Sequence, residues 1–512
     1  MNKQTYIAIT IGPIFDTMSL VSTPAALWAS SYMFSYISKR LREELIESGV
    51  DNDAFITPYM KDDTVLERNP GVGMLPDHII FKKPEGFTFA AFELAKQAVL
   101  EDVNKKFHIH DLKFLSEYIM ISAVEFEASN PIMESNGPIN ALELAKAFVA
   151  KEKCNPLLEY FTNDGSDTNK NNAIKVSAMQ IIGNNGQEWQ LLDRMKNIRQ
   201  LEHIARAETT DNFKRHRYYA IIRSDGDNVG KTISELTNAD EFHSFSESCI
   251  SFCEGIAALV KKFNGVTIYA GGDDLLAILP CESGGDKHLF RFVRRANALF
   301  KDKLGAMFEA ANKARREKNP NAEEYEPSLT FGITVAHYKY PLYETLEDSA
   351  NLLFGVGKRQ DDYKNAVLLR LIKHSGQTST VWIHNDVLSD GVICTKNALI
   401  SLLDRAVAGG EASNDLLLSA FHKVAMFESL FNSVDKAQVV NLFKNTFDDT
   451  SHQGSDFLHK ELPELFGERI LSGSIAALGA DGKKPDPKDP AAALNSLMRI
   501  VKFYVEEAGE EK

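Results

Sequence analysis

The 512-residue chain is too long for a single hydrophobic core, and we expect it to hold about two to four domains. Its 57 lysine and arginine residues face 71 aspartate and glutamate residues, which gives a net charge of −14. A chain this acidic is a poor candidate for binding nucleic acid alone, because phosphate contacts depend on lysine and arginine. No apolar run of about 18 residues or more occurs, so no membrane partner is expected. The five cysteines form no CxxC pair and favour a reducing cytoplasm.

The first 130 residues predict alternating strands and helices. A strand is expected at 5–15, a helix at 24–49, a short strand at 73–82, a helix at 87–107 and a passage from helix into strand at 114–128. This order is typical of a ferredoxin-like or palm-like domain.

A second block of the same order begins near residue 217. The predicted elements are a strand entering a polar turn at 217–231, a helix at 239–263, a hairpin at 266–280, a helix at 288–318, a strand at 327–339, a helix at 342–358 and a strand pair at 365–384. The pattern predicts an α+β fold with two ferredoxin-like palm domains. We place the first palm at 1–130, a connector at 131–210, the second palm at 211–385 and a C-terminal helical domain at 386–512.

Carboxylates are concentrated at two places in the second block. Asp225 and Asp227 lie two apart at the end of a predicted strand and would share a face if that strand continues. The hairpin tip at 271–274 reads Gly-Gly-Asp-Asp, which could be an ordinary acidic turn. If the tip lies beside the strand end, the crowded carboxylates would raise one another's pKa unless a divalent cation were bound. Oxygen ligands of this kind suit Mg²⁺ or Mn²⁺.

The glycines of the tip have a separate predicted role. Gly271 and Gly272 leave space for a triphosphate to approach the backbone. Two metals held there could activate a 3′-hydroxyl and stabilise the reacting phosphate while pyrophosphate leaves. Asp227 is equally well interpreted as a turn-forming residue. Cys249 and Cys253 have helical spacing and are expected to be buried on one helix face.

Several motifs together resemble one known family. The segments "SDGDNVGK", "YAGGDDLLAILP", "SLTFGITVAHYKYPL" and "LLFGVGKRQDDYKN" resemble the catalytic palm of the large polymerase-cyclase subunit of type III-B (Cmr) CRISPR effector complexes. The segments "IGPIFDTMSL" and "GMLPDHIIFK" resemble the first palm of that family. The similarity covers about residues 5–385 in the expected order.

This resemblance implies an activity, a set of site residues and a set of partners. The activity is conversion of ATP into cyclic oligoadenylates when a guide-bearing complex binds target RNA. The partners are the other subunits of the complex, its guide RNA and the target RNA. The implied metal ligands and catalytic residues are Asp225, Asp273 and Asp274, with the Gly226 carbonyl as a further ligand. The resemblance also implies that Gly271 and Gly272 line the triphosphate path and that Lys358 contacts phosphates. A solvated lysine at a helix end is the alternative for Lys358, and Lys231 is a weaker candidate.

The chain also departs from the family pattern. The first palm has no hairpin of the Gly-Gly-Asp-Asp type and is expected to provide an acceptor pocket. Asp62, Asp63 and Glu125 are acidic candidates for that pocket, but each is more simply interpreted as a surface carboxylate. The first palm begins near residue 5, so no HD nuclease domain and no DNase activity are expected, and the isolated HIHD motif near residue 110 is interpreted as structural. Only Cys154 lies where the family has a four-cysteine zinc element, so no zinc is predicted.

Three alternatives to cyclic oligoadenylate synthesis stay open at this stage. The same donor site could join ATP to S-adenosylmethionine, the palms could be a non-catalytic scaffold, or the chain could be a diguanylate cyclase. The preference for adenine over guanine depends on the resemblance alone.

Overall fold

The computed structural model describes most of both predicted palms and parts of the C-terminal region. The described residues are 3–19, 23–61, 64–69, 71–107, 112–129, 200–207, 213–236, 238–285, 287–388, 398–408, 422–423, 425–426, 428–447, 459–460, 462–479 and 482–506. Most of the connector predicted at 131–210 lies outside these ranges, as do Asp62, Asp63, Cys154 and the HIHD motif.

The first palm contains a four-stranded antiparallel sheet. Its strands are β1 (Lys3–Gly12), β2 (Phe55–Thr57), β3 (His78–Lys82) and β4 (Met120–Ser129), in the order β2-β3-β1-β4. The helices of this region are α1 (Ile14–Ser19), α2 (Pro24–Glu47), α3 (Val65–Arg68), α4 (Phe89–Lys106) and α5 (Leu112–Tyr118). The sheet order is that of a ferredoxin-like domain, which confirms the predicted fold class. The sequence prediction missed the short strand β2.

The second palm repeats this order and then extends it. Strands β5 (Tyr218–Gly226), β6 (Val266–Gly271), β7 (Asp274–Pro280) and β8 (Leu329–His337) pair in the order β8-β5-β7-β6, all antiparallel. The helices are α6 (Leu201–Arg206), α7 (Val229–Ile233), α8 (Ala239–Lys262), α9 (Leu289–Lys318) and α10 (Leu342–Ala350). Helix α10 runs into a π-helical segment, Asn351–Gly357, which the sequence pattern does not distinguish from a continuous α-helix.

The two faces of the second sheet pack against different parts of the chain. Because successive side chains of a strand point to opposite faces, Ala220 and Ile222 join the core beneath α8 and α9. Tyr219 and Ile221 instead pack with Trp28 of α2 and with side chains of α6 and α10. The first palm therefore covers part of the face on which alternation places Asp225.

Four further strands continue the second sheet beyond β8. Strand β9 (Ala366–Ile372) lies parallel to β8, and β10 (Thr378–His384), β11 (Ile475–Leu478) and β12 (Pro485–Asp486) follow in antiparallel pairs. The helices of this region are α11 (Ala398–Ala408), α12 (Lys436–Thr446), α13 (Leu462–Glu464) and α14 (Pro490–Val505), with a second π-helical segment at Leu465–Ile470. The sheet thus continues past the domain boundary predicted at residue 385, which stays a prediction.

The region between β2 and β3 joins the two palms. Where the second palm has a tight hairpin, the first has an inter-palm segment at 58–77. Within it, the Tyr59 backbone exchanges hydrogen bonds with the Ser246 hydroxyl of α8. The carbonyl of Gly73 accepts a 2.8 Å hydrogen bond from the amide of Ala270 in β6. This segment therefore continues the edge of the second sheet beside β6. None of the helices in the described ranges is both long and apolar enough to cross a bilayer.

Candidate active site

The site lies where the end of β5 meets the tip of the β6–β7 hairpin. Ser224 pairs with Leu275 across β5 and β7, so the next residues toward the tip, Asp225 and Asp274, are neighbours. Their carboxyl groups lie within hydrogen-bonding reach of each other. The structure therefore brings together the two predicted groups of carboxylates, from positions almost fifty residues apart in sequence.

Asp273 closes the cluster from above Gly226. A Cβ atom built on Gly226 would lie 2.7 Å from Oδ2 of Asp273, so only glycine leaves space for this carboxylate. The tip turns through Gly272, whose φ is +66°, a value that favours glycine. Beneath the tip, the Cys253 thiol lies 3.6 Å from the Gly272 carbonyl oxygen. Cys249 and Cys253 are buried, as their spacing predicted.

The closeness of the carboxylates carries an electrostatic cost. Burial, then the negative charges of Asp273 and Asp225, raise the pKa of Asp274 well above its ordinary value. Within the described ranges, however, no three His, Cys, Asp or Glu side chains are arranged to hold a metal ion. The carboxylates are adjacent, but Asp225 is paired with a lysine, Lys358, that also contacts Asp227.

The Lys358 ammonium group lies inside this cluster. Its Nζ is 2.8 Å from Oδ2 of Asp225, 2.7 Å from the Gly226 carbonyl oxygen and 2.8 Å from Oδ1 of Asp227. Burial disfavours its charge, yet Asp227 and Asp225 outweigh that effect and raise the pKa of Lys358. The side chain is therefore not a solvated lysine at a helix end; it is bound to two groups that the sequence assigned to a metal.

The π-helical segment Asn351–Gly357 places Lys358 there. A Cβ on Gly332 of β8 would lie 2.8 Å from the Leu353 amide nitrogen, and a Cβ on Gly357 would lie 2.8 Å from the Thr330 side chain. The missing side chains let the segment lie almost directly on β8, and the next residue, Lys358, then reaches the end of β5. Such π-helical insertions often occur at functional sites.

Asp227 has a different role from the one its spacing suggested. Strand β5 ends at Gly226, so Asp227 does not share a face with Asp225 in a continuing strand. Its carboxylate is 1% exposed and accepts hydrogen bonds from Ser328, Thr330, Lys358 and the amide of Asn365. The buried Asp227 carboxylate thus joins the turn after β5 to β8 and to Lys358 through hydrogen bonds.

Arg223 is a site residue that the sequence analysis missed. It lies two positions before Asp225 and therefore on the same face of β5. Burial lowers its pKa to about 10, while Asp274 opposes that shift, so Arg223 stays charged at neutral pH beneath the carboxylates. The available signal was a single arginine within the otherwise apolar strand "YYAIIRS".

The remaining candidates are Gly271, which pairs with Asp274 at the hairpin tip, and two residues outside the cluster, Lys231 and Glu125. Lys231 is 3.4 Å from Asp361 and lies over the ring of Tyr325. A Cβ on Gly271 would collide with the Tyr269 hydroxyl. Glu125 of the first palm forms a surface ion pair with Lys83 at 2.8 Å.

Two family descriptions match separate parts of the chain. Residues 218–368 match the second palm domain of Cas10/Cmr2, and residues 6–110 match the N-terminal region of the CRISPR-associated protein Cmr2. The chain belongs to the Cas10/Cmr2 family. The second-palm match contains every candidate residue from Asp225 to Lys358.

Curated relatives agree with this family. A protein from Pyrococcus furiosus described as the CRISPR system Cmr subunit Cmr2 is 30% identical over 190 residues, which are 31% of this chain and 19% of that protein. Another Cmr2 subunit, from Saccharolobus solfataricus, is 27% identical over 278 residues, which are 48% of this chain and 24% of that protein. The matched regions span less than a quarter of these Cmr2 relatives.

Solved structures with the same fold cover almost the whole chain. The apo state of a type III-B Cmr-beta complex includes a chain with a TM-score of 0.57 at 13% identity, covering 99% of this chain and 82% of that one. A chain of the Csm1–Csm4 cassette in complex with cA4 has a TM-score of 0.52 at 13% identity, covering 98% of this chain and 70% of that one. At such identities the likeness shows the Cas10/Cmr2 fold.

Proposed function

We propose that this chain is the large subunit of a type III-B CRISPR effector complex in the cytoplasm and that, when target RNA is bound, its second palm converts ATP into cyclic oligoadenylates. The observation that carries the proposal is the convergence of Asp225, Asp273 and Asp274 at one end of a ferredoxin-like sheet, with Lys358 among them. Family membership supports the same activity.

The donor atoms at this place suit a divalent cation by their chemistry, although no three of the described His, Cys, Asp or Glu side chains already surround one point. Asp225, Asp273, Asp274 and the Gly226 carbonyl are oxygen donors of the kind that Mg²⁺ and Mn²⁺ bind. Burial and the charges of Asp273 and Asp225 raise the pKa of Asp274, a cost that a bound cation would offset, and the ammonium of Lys358 already lies against two of these donors. When bound, the metal would lower the pKa of the attacking hydroxyl and neutralise charge on the reacting phosphate.

The chain's own residues would hold the substrate in place. Gly272 leaves open space at the hairpin tip, since a Cβ there would meet nothing within 4 Å, and a triphosphate could lie against its backbone. The corresponding spaces at Gly226 and Gly271 are filled by Asp273 and Tyr269. Lys358 is within reach of the same place and offers charged N–H donors to phosphate oxygens. Arg223 places a positive charge near Asp274, and the negative charge of Asp274 favours the charged guanidinium in turn.

The known states of structural relatives support the proposed partners. One related type III-B Cmr-beta complex was solved bound to cognate target RNA, with a TM-score of 0.56 at 12% identity. One related Csm1–Csm4 cassette was solved with AMPPNP, with a TM-score of 0.51 at 12% identity. These neighbours motivate ATP and target RNA as the components to test with this chain.

The test uses the assembled complex with target RNA, Mg²⁺ and labelled ATP, followed by mass analysis of the products. We expect cyclic oligoadenylates from the wild type and none from the Asp273→Ala, Asp274→Ala double variant. Glu323→Ala with Glu324→Ala is the matched control, because this adjacent acidic pair lies exposed on a loop. Unchanged product formation in the Asp273 and Asp274 variant would remove the enzyme assignment and leave a scaffold.

A parallel reaction with S-adenosylmethionine separates the two candidate acceptors. Both reactions would use the same donor site and differ only in the molecule that attacks the ATP. A product that forms only when S-adenosylmethionine is present would replace the cyclic oligoadenylate assignment. A guanine-containing product from mixed nucleotides would likewise replace the adenine assignment.

A further inference from the structure

Lys358 has three acceptors, and they differ in what else they are expected to bind. A lysine ammonium has three N–H donors, and here they meet the Asp225 carboxylate, the Gly226 carbonyl and the Asp227 carboxylate. The first two are metal donors under the proposed function, on which this inference rests. Asp227 is not one of those donors, because its carboxylate turns into the core.

Asp227 is held firmly by groups that have no place in the reaction. The Ser328 hydroxyl donates to it at 2.7 Å, the Thr330 hydroxyl at 2.8 Å and the Asn365 amide at 3.0 Å. Its own amide donates to the Ser328 carbonyl at 2.9 Å. With its carboxylate fixed on β8 and on the loop before β9, Asp227 is a rigid partner for the Lys358 ammonium.

We propose that Asp227 is a positioning residue that anchors Lys358, and that the Lys358 ammonium takes the place of a metal ion at Asp225 and the Gly226 carbonyl until a metal replaces it there. The ammonium is a single positive charge between carboxylates that would otherwise repel one another. A divalent cation binds the same oxygens with more charge. The two cations therefore compete for Asp225 and the Gly226 carbonyl, whereas of the two only the Lys358 ammonium contacts Asp227.

This arrangement has a consequence for substrate binding. When a metal takes Asp225 and the Gly226 carbonyl, two of the three donors on Lys358 lose their partners, while the third stays on Asp227. The freed donors would then be available to the phosphate oxygens of a nucleotide bound at this place. Metal binding thus prepares Lys358 to contact phosphate, and Asp227 keeps it from leaving the site.

The experiment measures Mn²⁺ binding to the full chain without nucleotide, by loss of the free Mn²⁺ signal in electron paramagnetic resonance. Lys358→Met removes the competing cation and is expected to bind Mn²⁺ about tenfold more tightly than the wild type. Asp227→Asn is expected to bind Mn²⁺ about tenfold more weakly, since the released ammonium then depends more on Asp225 and Gly226. The readout does not need turnover, so it separates this inference from the proposed function.

The double variant Asp227→Asn, Lys358→Met decides whether Asp227 acts through the lysine. If it does, Asp227→Asn changes Mn²⁺ affinity by less than about threefold once Lys358 is gone. A full tenfold loss in both backgrounds would make Asp227 a metal ligand and overturn the inference. Mn²⁺ binding that is no tighter in Lys358→Met than in the wild type would also overturn it.

Asp348→Asn is the matched control for Asp227→Asn. Asp348 is a half-buried carboxylate of this palm that, like the more deeply buried Asp227, accepts from a threonine hydroxyl, here Thr334, and pairs with a basic side chain, here Arg370. It contacts neither Lys358 nor Gly226 in the described structure. We expect wild-type Mn²⁺ affinity in this variant, and a tenfold loss there would show that the effect of Asp227→Asn is merely structural.

Discussion

Adding one methyl group at Gly226 should move the Asp273 carboxylate away from Asp225 and Asp274. The Cβ of alanine would lie 2.6 Å from Cγ2 of Val229, 2.7 Å from Oδ2 of Asp273 and 2.8 Å from Cβ of Asp273. Ordinary van der Waals contact begins at 3.4 Å, so the Asp273 carboxylate must move by about 0.7 Å. Because the clash involves the Cβ of Asp273 as well, rotation of the carboxylate cannot relieve it and the hairpin tip itself must shift.

A displacement of this size is large for a metal-dependent reaction. A misplacement of about 1 Å at a reacting centre can lower the rate roughly 100-fold, and overpacking of this kind costs about 1–3 kcal/mol of folding free energy. We therefore expect Gly226→Ala to lower kcat of the assembled complex by roughly 30- to 100-fold while the chain still folds. Initial rates of pyrophosphate release measure the first effect, and thermal unfolding measures the second.

Gly230→Ala is the control for Gly226→Ala. Gly230 lies in α7, four residues further along the chain, and a Cβ there would meet nothing within 4 Å. We expect wild-type kcat in Gly230→Ala. Its free energy of unfolding should rise by about 0.4–1 kcal/mol, because alanine restricts the conformations of the unfolded chain. Wild-type activity in Gly226→Ala would refute the reasoning, since it would mean that Asp273 need not lie where the structure places it.

Three further predictions concern stability. Burial and neighbouring carboxylates raise the pKa of Asp274 above 3.8, so its contribution to folding stability is greatest below pH 3.8 and is lost as the pH rises through the raised pKa. Asp274→Asn should therefore raise the free energy of unfolding by about 0.5–2 kcal/mol at neutral pH without metal, and it should abolish activity. A melting temperature below that of the wild type would contradict this. A Cβ at Gly73 would collide with helix α2. Gly73→Ala should therefore lower the melting temperature and make the inter-palm segment more accessible to protease. An unchanged digestion pattern would count against the docking of the inter-palm segment on β6. Burial alone would raise the pKa of Glu282, but hydrogen bonds from His216 and Arg215 lower it to about 2, so its contribution is present above pH 4.5 and lost as the pH falls toward 2. Glu282→Gln should cost about 3–5 kcal/mol at pH 7, and a difference from the wild type that does not shrink below pH 4.5 would disprove that linkage.

The sequence predicted much of the architecture because local signals were strong. The apolar runs on either side of Gly271 and Gly272 specify a hairpin, and the long amphipathic segments specify α8 and α9. The order of these elements was sufficient to predict a duplicated ferredoxin-like unit. Strand β11 was missed, because "SIAAL" has no pattern that separates a strand from a helix until β10 lies beside it.

The site was predictable in its acidic residues and not in their surroundings. Asp225, Asp273 and Asp274 stand in motifs that are visible in sequence, whereas the metal and substrate roles assigned to them stay predictions. The partners of Lys358 could not be predicted, because they depend on a π-helical segment lying on β8. The inward turn of Asp227 depends on where β5 ends, and a spacing of two residues does not reveal that end.

Strand β11 has a practical consequence for work with the isolated second palm. It covers the outer side of β10 through three backbone pairings, Val381–Ala477, Trp382–Ala476 and Ile383–Ile475. A fragment that stops near residue 385 would leave β10 as an open edge, which invites pairing with other molecules and aggregation. Soluble fragments should therefore retain residues 475–486, or have them fused after β10 through a flexible linker.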